Sequence, residues 1–510
     1  MNYEYDIKKQ ENLLYQDDPA NLTNERIMEF VRHFYNIQRP RLQKLDAYYR
    51  GWDEGVLETE TRRAQEGYAD YRLTHPFAQE IADFQTSFSV GNPIGVEAED
   101  GHDELDTVND YNDVDTLNND LFLDMTKYGR AVELTYREDN TERIVRLDPL
   151  NTFVIYSNDV DPYPIMAVRL SERMVIDQTT QAGVVLSNPI KKYIVEYWTE
   201  DTHAVSNEIV LADNLKIAYT ESLVTMPVVE YWNNTLQTGD YENVIPLIDA
   251  YDAAQSDTAN YMTDMNDAIL TIKGDIDSLF DGADLMINPD DKDAAIKLAK
   301  AKQEMLNEMK NARMLLLKSG ISATGTQTSV DANYIYKQYD VQGVEAYKNR
   351  LYKDIHSLSR TPDVSDSSFA GNVSGVAMRY KQLGVIQQAQ TKRRQFEKGL
   401  YALYSIVEEL EHQVSGSWQI SVNDIKFVFH DNLPVDDVET IKQLTDAGAQ
   451  FPQEFLYKFA PQVNDTDELT DMMNKQRDNV NIEQTRLAKR DEAVANDTTT
   501  GDVWVQQRTD

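Results

Sequence analysis

Carboxylates spaced two apart are the residues of this chain that come closest to a chemical motif. Asn112-Asp113-Val114-Asp115, Asn158-Asp159-Val160-Asp161 and Asn288-Pro289-Asp290-Asp291-Lys292-Asp293 each bring acids close enough to share a divalent cation. One reading is a Mg²⁺-dependent carboxylate enzyme acting on nucleic acid, with Asp159 and Asp161 as its leading pair. None of the three runs on into the glycine and distal glutamate of an EF-hand loop, and solvated turns or helix N-caps account for them better. No metal site and no cofactor is therefore expected. Other enzyme signatures are missing. A P-loop needs Gly-Lys, and the chain has no such dipeptide. Neither G-x-S-x-G nor H-E-x-x-H occurs, and His33, His75, His102, His203, His356, His412 and His430 form no pair at ligand spacing. With no cysteine, thiolate metal sites and cysteine nucleophiles fall away together. No catalytic residue is assigned.

The charges are more informative. Acids outnumber bases 87 to 49 over 510 residues, a formal net charge of −38. That argues against a surface that grips a phosphate backbone, but not against one that lets nucleic acid pass without holding it. The bases cluster at Lys348, Arg350, Lys353 and Arg360, and at Lys392, Arg393 and Arg394. They could touch phosphates or an acidic neighbouring subunit; solvated helix faces are the plainer alternative.

The elements that must position these groups can be read from length and periodicity. The length suggests roughly three domains of about 150 residues. The N-terminal MNYEYDIKKQENLLYQDDPANL lacks the basic-then-apolar order of a signal peptide, and no run approaches the roughly 18 apolar residues of a membrane span. Helical spacing covers residues 21–50 with an interruption at Arg39-Pro40, then His75–Val90 and Leu105–Tyr128. From Gly129 to Trp232 the period is two: Ala131–Arg137, Arg143–Leu147, Thr152–Tyr156, Ile165–Leu170, Lys192–Trp198, Glu208–Leu211 and Val228–Trp232 read as short antiparallel strands. The fold class is α+β. Apolar residues from Val244 to Ile269 then recur at three and four, with Asp249, Asp252, Asp257, Asp264 and Asp267 on the other faces. A second amphipathic helix carries Val344, Tyr347, Leu351, Ile355 and Leu358. Between the two lies an excursion with a helix near 290–311 and strand candidates Met314–Leu317 and Tyr334–Tyr339. A long helix, 376–413, has Gly384 and Gly399 as bend points. A strand at Ile425–Phe429 and short helices complete the pattern. Helix pairs tipped by an excursion bury little alone, and packing against copies of themselves would supply the missing burial.

Thr361-Pro362-Asp363-Val364-Ser365-Asp366 and Phe369-Ala370-Gly371-Asn372-Val373-Ser374-Gly375-Val376-Ala377-Met378-Arg379-Tyr380-Lys381 closely resemble a block of the portal (head–tail connector) proteins of long-tailed bacteriophages infecting Gram-positive bacteria. Val228-Val229-Glu230-Tyr231-Trp232-Asn233-Asn234, Gly239-Asp240-Tyr241-Glu242, Leu247-Ile248-Asp249-Ala250-Tyr251, Tyr128-Gly129, Leu147-Asp148-Pro149 and Asn432-Leu433-Pro434 fit the same family. The resemblance is collinear from about residue 40 to 470. Tyr48-Tyr49-Arg50-Gly51 lacks the family's downstream histidine, and Thr235 stands where an acid is common.

The resemblance implies a portal-type subunit: an α+β wing (1–239), a first stem helix (240–273), a small α/β clip (274–340), a second stem helix (341–359), a tunnel loop (360–375), a long wing helix (376–424), a helical crown (425–495) and a polar tail (496–510). It implies a non-enzymatic, homo-oligomeric ring of twelve at a capsid vertex, assembled in the host cytoplasm. Double-stranded DNA passes through it during packaging and ejection. The terminase large subunit, a head-completion adaptor, and the major capsid and scaffolding proteins are its implied partners, with no membrane. On this reading Asp249, Asp252, Asp257 and Asp264 line the channel. Asp363, Asp366, Ser367, Ser368, Phe369, Gly371, Asn372 and Gly375 belong to the tunnel loop. An intracellular scaffold without a channel is the blander alternative.

Overall fold

The computed structural model describes residues 14–58, 69–98, 102–138, 141–181, 184–264, 269–274, 314–318, 331–335, 340–363, 382–414, 418 and 420–430, with isolated positions between 296 and 307 and at 446. The chain divides into two compact units, 1–432 and 433–510; of the second, Asp446 is the described position. The expected crown beyond residue 430, the tail, and the excursion's helix as a continuous element lie outside the described residues.

Strand β1 (Tyr15–Asp17) precedes α1 (Asn24–His33), a π-helical turn (Phe34–Gln38) and α2 (Arg39–Tyr49). Next come α3 (Glu54–Leu57), α4 (Phe77–Val90), β2 (Gly95–Glu97), α5 (His102–Asn112) and α6 (Val114–Tyr128). The strands β3 (Arg130–Glu138), β4 (Thr141–Leu147), β5 (Thr152–Ser157), β6 (Pro164–Gln181), β7 (Val184–Trp198), β8 (Thr202–Ser206), β9 (Ile217–Ser222) and β10 (Val228–Trp232) succeed them. Then come α7 (Ile245–Asp264), β11 (Ile269–Gly274), β12 (Met314–Lys318), β13 (Asp331–Ile335), α8 (Val341–Leu358), α9 (Leu383–Val414) and β14 (Lys426–Val428).

The strands make a six-stranded sheet ordered β1-β5-β6-β7-β8-β9, a three-stranded sheet β10-β3-β4, a three-stranded sheet β12-β11-β13, and the pair β14-β2. The first sheet and helices α1, α2 and α4 enclose one apolar core, which also takes Ile248 of α7 and Ile355 of α8. A second core joins α5, α6 and β3 to Phe396, Leu400, Leu403 and Val407 of α9. A third, smaller core lies between the two large sheets at Val132, Val154, Ala167 and Trp198. The α+β class stands.

Several local expectations change. Pro40 does not break the first helix. Proline lacks the N–H of an α-helical turn, and the chain absorbs the mismatch by widening: the Arg39 N–H reaches back five residues to the Phe34 carbonyl. Glu208–Leu211 is no strand; Ile209 makes a lone bridge to Tyr193. The apolar run to Ile269 is not all helix, since α7 ends at Asp264 and Ile269–Gly274 is the central strand of the small sheet, parallel to β12 and antiparallel to β13. Gly399 does not interrupt α9, which runs unbroken for 32 residues, about 48 Å along the helix. Its missing side chain instead admits the Tyr231 ring, whose Cδ1 would lie 2.2 Å from any Cβ there.

Candidate channel-forming stem

Helix α7 begins at a tight joint. The Tyr128-Gly129, Asn233-Asn234 and Gly239-Asp240-Tyr241-Glu242 segments, separate in sequence, meet there. Gly129 turns the chain at φ +82°, and a Cβ on it would fall 2.1 Å from the Gln237 carbonyl oxygen. A Cβ on Gly239 would fall 2.4 Å from the Lys127 carbonyl oxygen. The Asp240 N–H donates to the Thr126 carbonyl (2.9 Å), and its carboxylate accepts from Asn233 Nδ2 (2.8 Å) and from the buried Lys392 ammonium of α9. Tyr241 donates to the Leu45 carbonyl (2.8 Å), and Glu242 accepts a two-pronged bond from Arg41. The start of α7 is thereby fixed to α2, α6 and α9.

Beyond the joint, one polar row of α7 faces inward. Asp252, Ser256 and Asn260, spaced i, i+4, i+8, are all buried. The extended 71–75 segment lies along them: Leu73 N–H donates to Ser256 Oγ (2.9 Å), Tyr71 N–H to Asn260 Oδ1 (2.6 Å), and His75 Nδ1 lies 2.7 Å from Asp252 Oδ1. Asp249, one turn earlier, is half-buried and accepts from the Tyr48 hydroxyl (2.7 Å). Sequence reading missed this row, and with it Asp53 and His75.

The expected channel acids therefore separate. Asp252 is fully buried and cannot line a channel, because its carboxylate is taken up inside the subunit. Asp249 is turned towards α2 and α3. Asp257 lies exposed on the outer face. Asp264 closes α7, its side chain outside the described residues. The basic clusters separate in the same way. Lys348 is buried between Glu345 and Gln255 (3.2 Å), Lys392 bonds Asp240 and Thr126 Oγ1 (2.9 Å), and Arg393 donates to the Ser89 (2.8 Å) and His430 (3.0 Å) carbonyls. These three are corrected: long aliphatic stems carry their charges into internal partners, and they do not reach phosphates. Arg350, Lys353, Arg360 and Arg394 remain exposed, Arg350 lying 3.7 Å from Asp354.

On α8, Leu351 and Ile355 are buried as expected, but Val341, Tyr347 and Leu358 stand out in solvent, Leu358 at 66% exposure. Arg360, at φ +55°, ends the helix, and Thr361 anchors the next segment through His356 O (3.1 Å) and Gln85 (3.3 Å). Asp363 accepts from Tyr352 (3.1 Å). Asp366, Ser367, Ser368, Phe369, Gly371, Asn372 and Gly375 lie outside the described residues.

Asp159 and Asp161, the leading enzyme pair, are exposed in the β5–β6 turn. Among the described residues no three His, Asp or Glu side chains are grouped to hold a metal ion. Among those residues, too, no helix is long and apolar enough to cross a membrane.

A joint of close-packed glycines thus leads into an antiparallel helix pair, α7 and α8, with a small sheet inserted between them in the sequence. The chain matches the family described as phage portal protein, SPP1 Gp6-like, over residues 29–483, and belongs to it. It is thus a phage portal, or head–tail connector, protein, a structural component of the virion. No curated protein matches the chain.

Proposed function

We propose that the subunits close into a homo-oligomeric ring of about twelve, whose bore passes double-stranded DNA during packaging and ejection. The ring sits at the capsid portal vertex after assembly in the host cytoplasm. It offers docking surfaces to the terminase large subunit, a head-completion adaptor, and the major capsid and scaffolding proteins, and it has no enzymatic activity of its own. The observation that carries this reading is the apolar stripe of α8. Val341, Tyr347 and Leu358 lie along or beside the same stripe as Leu351 and Ile355, yet the body covers only the latter two and leaves the other three exposed. A neighbouring copy would cover them, and the same contact repeated around an axis closes a ring.

Dimensions set the ring size. A duplex roughly 20 Å wide, helices of about 5 Å radius and roughly 3 Å of clearance put helix axes on a circle of about 18 Å radius. At about 9.5 Å between neighbours that circle holds roughly twelve. Subunits of net charge −38 would repel a duplex from all sides and keep it from sticking. Asp257, exposed on α7, is the described acid best placed to contribute. Arg350, Lys353, Arg360 and Arg394 are left to contact an acidic neighbour or the DNA.

Mass measurement with electron-microscope imaging of the purified chain tests this. Annular particles with a central hole are expected, and Tyr347→Asp should shift them towards single subunits that melt as wild type does. A strictly monomeric wild-type protein at high concentration would refute the proposal.

A further inference from the structure

Where α7 leaves the body, three acids from two segments meet. Asp53 precedes the short helix α3 and is 1% exposed, and Asp252 is 0% exposed. Asp249 lies so close to α3 that a Cβ on Gly55 would fall 2.3 Å from its carboxyl carbon. Asp249 has its donor in Tyr48, and Asp252 Oδ1 has one in His75. Among the described residues neither oxygen of Asp53 has a donor, and nor does Oδ2 of Asp252. Yet the Asp53 and Asp252 side chains are within hydrogen-bonding reach of each other. Two carboxylates can only accept, so with both ionised this contact would be a buried repulsion with three oxygens unsatisfied. With one proton between them it becomes a strong O–H···O⁻ bond.

We propose that Asp53 and Asp252 share a single proton and act as a carboxyl–carboxylate clasp, fastening the 50–58 segment to the root of α7 and releasing it when that proton is lost. The proton comes from solvent and returns to it, and no bond other than O–H is made or broken.

The groups around the pair favour holding the proton. Burial, then the carboxylates of Asp252 and Asp249, push the Asp53 carboxyl well above its ordinary range. Glu54 adds another acid from α3, itself raised by burial and by Glu58. His75 is held below its usual value chiefly by burial, with Lys348 of α8 opposing its charge, so it is neutral near pH 7 and donates through Nδ1 without supplying a cation. Lys44 of α2 acts on Glu54, and Lys348 is already bound to Glu345 and Gln255. The Tyr48 phenol, pushed up by burial and by Asp249, stays protonated. Among the described residues no cation is in position to replace the proton.

The direction of the pH effect is then fixed. A carboxyl raised in the folded state keeps its proton where the unfolded chain has lost it, so stability falls as pH rises through that interval. The clasp goes with it.

The test compares wild type, Asp53→Asn and Asp252→Asn by melting temperature and by hydrogen exchange of residues 245–264, each from pH 6 to 9. An amide donates permanently, so each variant should match wild type near pH 6 and fall less steeply than wild type towards pH 9, lacking the clasp's share of the decline. Wild type should melt lower and exchange faster at its α7 amides as pH rises, after correction for intrinsic rates. Variants that respond to pH as wild type does would overturn the clasp. So would both variants melting far below wild type at pH 6, or wild type stabilised at pH 9 by added Mg²⁺ and not in EDTA. Exchange at α7 is read on the subunit, so this outcome is separate from whether rings form.

Discussion

Gly399 offers a prediction whose sign is set by two opposing effects of known size. Exchanging glycine for alanine inside a helix stabilises by about 1 kcal/mol. At Gly399 the added methyl meets the Tyr231 ring, with Cδ1 and Cε1 both at 2.2 Å. The ring cannot retreat. Tyr231 is fully buried, Phe396 packs on it at 4.7 Å between centroids, and its hydroxyl donates to Glu133 at 2.5 Å. Overpacking a filled core costs about 1–3 kcal/mol, and a contact this short belongs at the upper end. The net expectation for Gly399→Ala is destabilisation of about 1–2 kcal/mol after the helix gain is subtracted. Gly384 is the internal control. It lies on the same helix, and the nearest heavy atom to its added Cβ is Arg360 Cβ at 3.9 Å, an ordinary contact. Gly384→Ala should therefore stabilise, by up to about 1 kcal/mol. Urea unfolding followed by tryptophan fluorescence reads both: the midpoint should fall for Gly399→Ala and rise for Gly384→Ala with unchanged slope. If Gly399→Ala is as stable as Gly384→Ala, the close approach of α9 to β10 is wrong.

Asp240 and Lys392 form a buried ion pair, each side chain 3% exposed. Asp240→Asn strands the ammonium and should cost about 3–5 kcal/mol in the same unfolding assay; a loss under about 1 kcal/mol would mean that the pair does not hold α9 to the joint. Burial pushes the Glu133 carboxyl from 4.5 to about 8. The folded chain therefore binds its proton where the unfolded chain does not, and stability should decline between about pH 4.5 and 8 and level off above. Glu133→Gln should flatten its share of that decline in melting temperature, and an unchanged pH profile would rule Glu133 out. Asp257→Lys should slow DNA packaging in an in vitro assay while rings still form; packaging at the wild-type rate would show that this acid does not govern transit.

How far the fold was legible depends on which residues decide it. Strands β3, β4, β5 and β10 fall on the runs expected of them because one periodicity, two, was enough to mark them. Strands β8 and β9 were not recognised: Thr202–Ser206 and Ile217–Ser222 carry His203, Ser206, Thr220 and Glu221, and they are strands because β7 pairs with β8 and β8 with β9. Helix α7 departs from its reading in a more instructive way. An aspartate opposite an apolar stripe reads as solvent-facing, and at Asp257 that reading holds. Five residues earlier it does not, because Asp252 meets His75 and Asp53, which come from parts of the chain about 180 and 200 residues away. Periodicity on one helix cannot show a polar partner supplied from so far off. A signal was nonetheless present: Asp252, Ser256 and Asn260 repeat every four residues, and two of the three are small, uncharged polar residues of a kind that a buried backbone can bind. The same logic explains the bases. Lys348, Lys392 and Arg393 looked like surface charge because sequence shows the head group and not the length of the stem that carries it inward. What separates Arg350 and Lys353 from Lys348 is a rotation of the helix by a few residues. In so acidic a chain, then, counting charges identifies the class of surface, and packing alone decides which of them a polyanion would meet.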